Sequence, residues 1–501
     1  MLRTAAWTAA PLLAWNVAAH ADPVLPTISP LTFNVTEANG GVGGASIDGG
    51  ATAVGNDSTD NTSVLQAFIN YASTATTLVN GVTVTGGTVE IPASASAYLS
   101  KELTIDSDVN LDIVSGATLQ NSAPSNTFIT TNGATTNVAI TGGGILNDNA
   151  TSGSNNNMLA LSNVTNLLVN DVTIESSSHE HLVPENCNNV TINAVTIKDQ
   201  DVIGNDDGID YSGSNFLIEN CTIADDDDDI VAKPGSAGSA GTFCSNILIQ
   251  NIYITSGHGI SIGGETVGGL NNMTVNNVTF NSVSATGGIS NGIRLKAGRG
   301  NGGLVSNVSY NNITMIGVQT PIQISSWYDG TNGSDAWPKT SNGVSNAAAA
   351  SNATVNSTTP MWENITFSNL TSSGSSSNSV IYGLPEAPVQ NVIFNGVTLD
   401  RALTINYAGF NGTYSPTLVP GLDVEMINTS LNGTLLNPAT ASTELANSSL
   451  FSQAPNGSYQ ADISIQSVPE PSCGFLLAGA AVLMASTRKW ARPPAPVTTR
   501  A

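Results

Sequence analysis

The chain has 501 residues, with 13 Lys and Arg against 37 Asp and Glu, a formal net charge of −24. That balance excludes nucleic acid as a partner. Charged residues make up only 10% and aromatics 5%, while Gly alone numbers 49; a surface solvated by amides and hydroxyls fits an extracellular β-protein and not a helical bundle.

Residues 1–21 carry Arg3, an apolar stretch and Ala19-His20-Ala21 before Asp22. This is the pattern of a secretory signal peptide with a small-x-small cleavage site, and Pro11 argues against a buried first helix. Residues 56–72, NDSTDNTSVLQAFINYA, predict a short amphipathic helix behind a polar cap. Such a helix would close the open end of a solenoid, where bare strand edges invite aggregation. Residues 86–100 and 108–120 alternate apolar and polar positions and predict the first strands.

From residue 137 a unit recurs: Asn, an apolar alternation, a polar pair often containing Asn, and a second short alternation. Copies begin at 137, 166, 189, 215, 246, 272, 307, 364 and 391, with spacings of 29, 23, 26, 31, 26, 35, 57 and 27 residues. Two or three strands of about four residues plus turns fill one such unit. The length is one coil of a parallel β-helix. Leucine-rich repeats need a Leu signature and a helix, and propeller blades need about 40 residues. We therefore expect an all-β, single-stranded right-handed parallel β-helix with a short N-terminal capping helix. Apolar side chains should stack inward and the recurrent Asn should form amide ladders at the turns. The longest interval marks a loop at 338–360, rich in Ser, Asn and Ala.

Four unusual segments follow the repeat's strands, one per coil: Asn205-Asp206-Asp207-Gly208, Asp225 to Asp229, Gly257-His258-Gly259, and Arg294-Leu295-Lys296. Strands on successive coils stack about 4.8 Å apart, so these segments predict a column of carboxylates, an imidazole and two cations. Five of the 13 basic residues lie in the two end segments; of the eight left, Arg294, Lys296 and Arg299 fall within six residues, which predicts a local anion site on an acidic body. His179 and His181, one coil earlier, are candidate wall residues with a structural role favoured. Cys187, Cys221 and Cys244 are odd in number and fit no zinc spacing, so they read as small core residues.

The C-terminal 34 or so residues hold a Pro469-Glu470-Pro471 turn, an apolar run from about Gly474 to Ala485, and Arg488, Lys489 and Arg492. The run is short for a full span of about 20 residues. This tail resembles the PEP-CTERM sorting signal of bacterial surface proteins. The resemblance implies transient membrane anchoring and delivery to the exterior or cell surface of a Gram-negative-type bacterium. The expected division is 1–21 signal peptide, 22–425 β-helix domain, 426–466 extension or linker, and 467–501 sorting signal.

In order and coil spacing, the four site segments resemble glycoside hydrolase family 28, the polygalacturonases, whose pattern is Asn-Thr-Asp, Gly-Asp-Asp, Gly-His-Gly and Arg-Ile-Lys. GGTVEIPASASAYLS, NGIRLKAGRGNGG and PIQISSWY look like further family segments, so the resemblance covers roughly residues 32–410. It implies that Asp227 is the general acid, that Asp207 and Asp228 hold and activate the attacking water, and that His258 tunes the acid. It implies that Arg294 and Lys296 bind a uronate carboxylate, with Asn205 and Tyr328 as further substrate contacts. Crowded carboxylates should keep one acid protonated near the working pH. The chain departs from the pattern at Asp206 for Thr, Asp226 for Gly and Asp229 for Cys. The implied activity is inverting hydrolysis of α-1,4-galacturonosyl linkages in a pectic polysaccharide by a monomer, with no cofactor and no metal. Rhamnogalacturonan or xylogalacturonan hydrolysis, a Ca²⁺-dependent pectate lyase, and a non-catalytic glycan-binding β-helix are the alternatives.

Overall fold

The computed structural model describes residues 22–467, apart from 42–46, 125, 200–203, 237, 239–240, 283–287, 329–353, 385, 407–423, 446 and 454–462. Short strands pair with the equivalent strand of the next coil, almost always in parallel, and build sheets of 23 and 12 strands. This is the expected parallel β-helix. The alternation seen in the sequence decides which side chains point inward. Val109–Ile113 buries every second residue. Ile209, Ile230, Ile260, Ile293 and Ile322 occupy one register column along the 12-stranded sheet, and all are fully buried. Each such side chain contributes about 1.5–3 kcal/mol through burial.

The Asn of the repeat sits at corners where the backbone is left-handed. Asn166, Asn189, Asn215, Asn246 and Asn272 have φ of 62°, 57°, 60°, 56° and 64°. A second corner falls five residues later, at Asn220, Asn251, Asn277, Asn312 and Asn369, with φ between 51° and 57°. Among non-glycine residues, Asn best tolerates this conformation. Its amide then bonds the equivalent amide one coil away. Asn246 Nδ2 donates to Asn215 Oδ1 at 3.1 Å, and Asn272 Nδ2 to Asn246 Oδ1 at 2.9 Å. The second ladder runs Asn220 to Asn193 at 2.7 Å, Asn251 to Asn220 at 3.1 Å and Asn277 to Asn251 at 2.7 Å.

The capping helix is Thr62–Thr74, burying Leu65, Phe68, Ile69 and Ala72 against the first strands. It begins six residues into the predicted segment. Asn56 Oδ1 accepts from the N–H groups of Ser58 at 3.1 Å and Thr59 at 2.8 Å, a side-chain turn that competes with the helix. The predicted first strands appear as Gly87–Ile91, Tyr98–Ser100, Val109–Ile113 and Thr118–Asn121. Cys187, Cys221 and Cys244 are buried free thiols.

At the other end the coils run past the expected boundary. Val424–Ile427 pairs in parallel on Gln390–Asn395, and Ile463–Gln466 pairs on Val424–Ile427. Segment 426–466, read as an extension, therefore adds strands to the solenoid. Its low repeat similarity hid that continuation. Residues 1–21 and 468–501, holding the expected signal peptide and nearly all of the expected sorting signal, lie outside the described residues, as does most of the loop expected at 338–360. No described helix is long and apolar enough to cross a membrane.

Candidate active site

Asn205, the aspartates, His258, Arg294 and Lys296 belong to the 12-stranded sheet or to the turns leading into its strands, and Tyr328 follows strand Thr320–Ser325. Asn205 to Asp207 precede Ile209–Tyr211, the Asp run precedes Ile230–Ala232, and His258 precedes Ile260–Gly264; Arg294 and Lys296 lie on Asn291–Ala297. These strands are consecutive neighbours. Asp210 pairs Val231, Val231 pairs Ser261, and Ser261 pairs Arg294. The turns are laddered too: Gly208 N–H donates to Asp228 O at 3.0 Å and Asp229 N–H to Gly259 O at 3.0 Å. Because side chains alternate across a strand, Arg294 and Lys296 share the face opposite buried Ile293 and Leu295.

Asp228 is the hub, only 1% exposed. Its Oδ1 accepts from Ser261 Oγ at 2.6 Å and from Arg294 Nη1 at 3.4 Å, and its Oδ2 accepts from Lys296 Nζ at 2.7 Å. Asp227 points to the more open side and meets His258 Nδ1 at 2.9 Å, the two side chains being 25% and 32% exposed. The Tyr328 ring covers the cations, with Lys296 Nζ 5.0 Å and Arg294 Cζ 5.8 Å from its centroid. Gly264 makes room for that ring, since a Cβ there would lie 2.2 Å from Tyr328 Cε1. Asp207 is 2% exposed, and its Oδ2 accepts from Lys233 Nζ at 2.8 Å. Asn205 Nδ2 lies 2.8 Å from His179 Nε2, and His179 Nδ1 lies 2.7 Å from Asn157 Oδ1. With the amide donating to Nε2, the ring is a neutral Nδ1–H tautomer. Fully buried His181 turns Nδ1 to the Asp206 and Asp207 carbonyls at 3.1 and 3.3 Å, a structural role.

The electrostatics divide the carboxyls. Burial pushes Asp228 up, but Lys296 and Arg294 outweigh it and hold the carboxyl well below the usual carboxylate range. Burial also opposes ionisation of Asp227, and the hydrogen bond from His258 overcomes it, leaving a lowered value. Asp207 is pushed up to about 7 by burial, which Lys233 only partly offsets, and by the charges of Asp228, Asp227 and Asp210. Of the three carboxyls Asp207 is thus the one raised toward neutral pH and Asp227 is not, because the imidazole sits beside Asp227 alone.

Arg299, grouped with the anion site from the sequence, belongs elsewhere. Its Nε donates to Glu386 Oε1 at 2.6 Å and its Nη2 to Oε2 at 2.8 Å, while its Cζ lies 5.0 Å over Trp327. The surplus aspartates are buried: Asp206 and Asp229 at 0% and Asp225 at 1% exposure. Burial pushes Asp206 up to about 9 and Asp225 and Asp229 well above the ordinary value. Burial thus disfavours their charged forms. Gly257, at φ 121°, leaves space for them, since a Cβ there would fall 2.5 Å from Asp225 Oδ1 and 2.6 Å from Asp229 Oδ2.

Sequence reasoning gave no role to Lys233, Ser261, Glu180 or Asp210. The signal for three of them was the period of two. Asp210 and Ser261 sit on strands that follow the motifs, in the register column of Arg294, and Lys233 continues the alternation just past Ile230–Ala232.

The profile of glycosyl hydrolases family 28 matches residues 81–408. The chain belongs to this family. Family 28 motifs and the matched span coincide with the coils that carry the site. A polygalacturonase of Juniperus ashei is 33% identical over 127 residues, 25% of this chain and 23% of that protein. A polygalacturonase of Ralstonia nicotianae is 29% identical over 135 residues, 27% of this chain and 24% of that protein. The chain thus spans about a quarter of the length of the curated relatives it matches. An exopolygalacturonase from Thermotoga maritima superposes with a TM-score of 0.63 at 18% identity, covering 84% of this chain and 96% of that one. The polygalacturonase from Erwinia carotovora ssp. carotovora gives 0.55 at 21% identity, over 89% and 98%. These likenesses carry the fold.

Proposed function

We propose that this family 28 protein hydrolyses α-1,4-galacturonosyl linkages of a pectic polysaccharide with inversion of configuration. The observation that carries the reading is the convergence of Asp207, Asp227 with His258, and Asp228 with Arg294 and Lys296 on four consecutive rungs of one sheet. Polygalacturonases among the relatives support the same substrate class.

In this reading Asp227 protonates the leaving glycosidic oxygen. It is the most open of the three carboxyls, and His258 lies within proton-sharing distance at 2.9 Å. An arriving uronate adds negative charge and strips water, and both effects favour the protonated acid. Asp207 and Asp228 orient and activate the water, which must attack the face opposite the acid. Arg294 and Lys296 oppose one carboxylate with two cations, so one positive charge remains for the uronate, delivered as a guanidinium fork and a point charge. Tyr328 and Asn205 border the same face as substrate contacts. Synthesis with a signal peptide, transient anchoring through the C-terminal segment, delivery to the exterior or surface of a Gram-negative-type envelope, and action as a monomer complete the proposal.

Product analysis tests it. Purified mature protein incubated with polygalacturonate should release reducing ends, with inverted anomers detected by proton NMR, and chelator should leave the rate unchanged. An unsaturated, ultraviolet-absorbing product, or loss of activity on chelation, would establish β-elimination instead. Binding without product across the acidic to neutral range would leave a non-catalytic glycan-binding solenoid.

A further inference from the structure

Lys233 follows strand Ile230–Ala232 directly, and its N–H donates to Tyr211 O at 2.9 Å on the neighbouring rung. That backbone anchor aims the side chain across the coil. Its ammonium lies 2.8 Å from Asp207 Oδ2, 2.8 Å from Asp210 Oδ2 and 3.6 Å from Glu180 Oε1. Three carboxylates from two neighbouring coils therefore surround one cation. The oxygens of Glu180, Asp207 and Asp210 lie within 4.8 Å of one another, a spacing that would also suit a metal ion. Lys233 Nζ is the cation this site holds.

The two water-side carboxylates are thus served unequally. Asp228 bonds two cations, Lys296 and Arg294. Asp207 shares Lys233 with Asp210 and Glu180, and it also faces the negative charges of Asp227 and Asp228, with buried Asp225 on the coil behind. His179 senses Lys233 from the preceding coil. Burial, the Asp210 charge and Asp207 itself push Glu180 up to about 8, against the pull of Lys233, so it is the weakest of the three competitors.

We infer that Lys233 is a positioning residue for the proposed hydrolysis: its ammonium fixes the Asp207 carboxylate and favours its ionised form, and Asp210 competes for the same cation. The inference rests on the hydrolase reading of the site. It makes the state of Asp207 depend on a residue that the proposed hydrolysis does not itself use.

The test follows Asp207 directly, by carbon NMR titration of ¹³C-carboxyl aspartate in the full chain, its resonance assigned with Asp207→Asn. Lys233→Met should raise the Asp207 midpoint by about 1–3 pH units, the size of losing an opposite charge at this distance. Lys233→Arg should restore most of that shift. Asp210→Asn should move the midpoint the other way, and it keeps the test decisive if the Met variant does not fold. On polygalacturonate, the limb of the kcat/KM profile that follows Asp207 should move with each midpoint. Lys233→Met should lose at least about tenfold in kcat, as a mis-set general base does, with KM little changed. Midpoints that stay at the wild-type value in Lys233→Met and Asp210→Asn overturn the inference. So do shifted midpoints with wild-type kcat and an unmoved profile. A wild type that turns over no pectic polymer overturns the hydrolase reading, and the NMR midpoints then still decide whether Lys233 favours the ionised form of Asp207.

Discussion

Asp207 and Asp228 lie within reach of each other's charge, yet their counterions differ: two cations for one carboxylate at Asp228, one cation for three at Asp207. Replacing Asp228 with Asn would take from Arg294 and Lys296, both about 5% exposed, the carboxylate charge they bond. Breaking a buried ion pair on one side costs about 3–5 kcal/mol, so the Asn variant should lose that much in urea unfolding as well as losing activity. Asp227 differs again, because His258 is its close side-chain partner among the described residues and its side chain is a quarter exposed. Asp227→Asn keeps shape and hydrogen bonding but cannot donate an acid proton. Its kcat on polygalacturonate should fall at least about a hundredfold, while calorimetric binding of an oligogalacturonate stays near wild type. Wild-type turnover in that variant would remove Asp227 from the acid role.

At the level of strands and corners, the Asn ladders do two things at once: each Asn accepts a left-handed backbone and passes an amide hydrogen bond to the next coil. Asn251 has φ 57°, donates to Asn220 and accepts from Asn277. Ala at this position would lose both bonds and keep the backbone penalty of about 1–2 kcal/mol, with net hydrogen bonds worth about 1 kcal/mol each. Gly would lose the bonds alone. Asn251→Ala should therefore destabilise more than Asn251→Gly in chemical denaturation, and equal losses would show that the φ angle is not what selects Asn. The capping helix is the other element whose role can be isolated. Phe68 is fully buried, so Phe68→Ala should cost about 3–5 kcal/mol.

For the whole molecule, the buried acids set how stability varies with pH. In the unfolded chain an aspartate ionises near pH 4. Asp206, Asp225 and Asp229 keep their protons to much higher pH when folded. Between those values the folded state binds more protons than the unfolded one, so stability falls as pH rises. For Asp206 that window runs from about 4 to about 9. Asp228 has a lowered folded value, so its contribution is lost only as pH drops below about 4. Lys233 has a raised one, so its contribution is complete below about 10. Thermal unfolding should give a higher Tm at pH 5 than at pH 8, and Asp206→Asn should flatten that difference. A Tm that rises over the same interval would contradict the buried, protonated state of these groups.

The architecture and the convergence of the four motifs were legible in the residues because both are local and periodic. Apolar alternation selects the inward face, Asn marks each corner, and a motif placed after each strand repeats its position one coil on. Asp207, Asp227, Asp228, His258, Arg294 and Lys296 were therefore expected on one face, and they meet there. Which charge answers which is a property of the folded coils, since partners such as Lys233 and Asp207, or Arg299 and Glu386, are brought together across turns whose lengths vary from coil to coil. Whether an aspartate of the 225–229 run is a charged site group or a buried neutral acid depends on how much water the neighbouring coils exclude. No stretch of sequence carries that information alone, because desolvation is set by all the atoms around a group and only the tertiary structure assembles them.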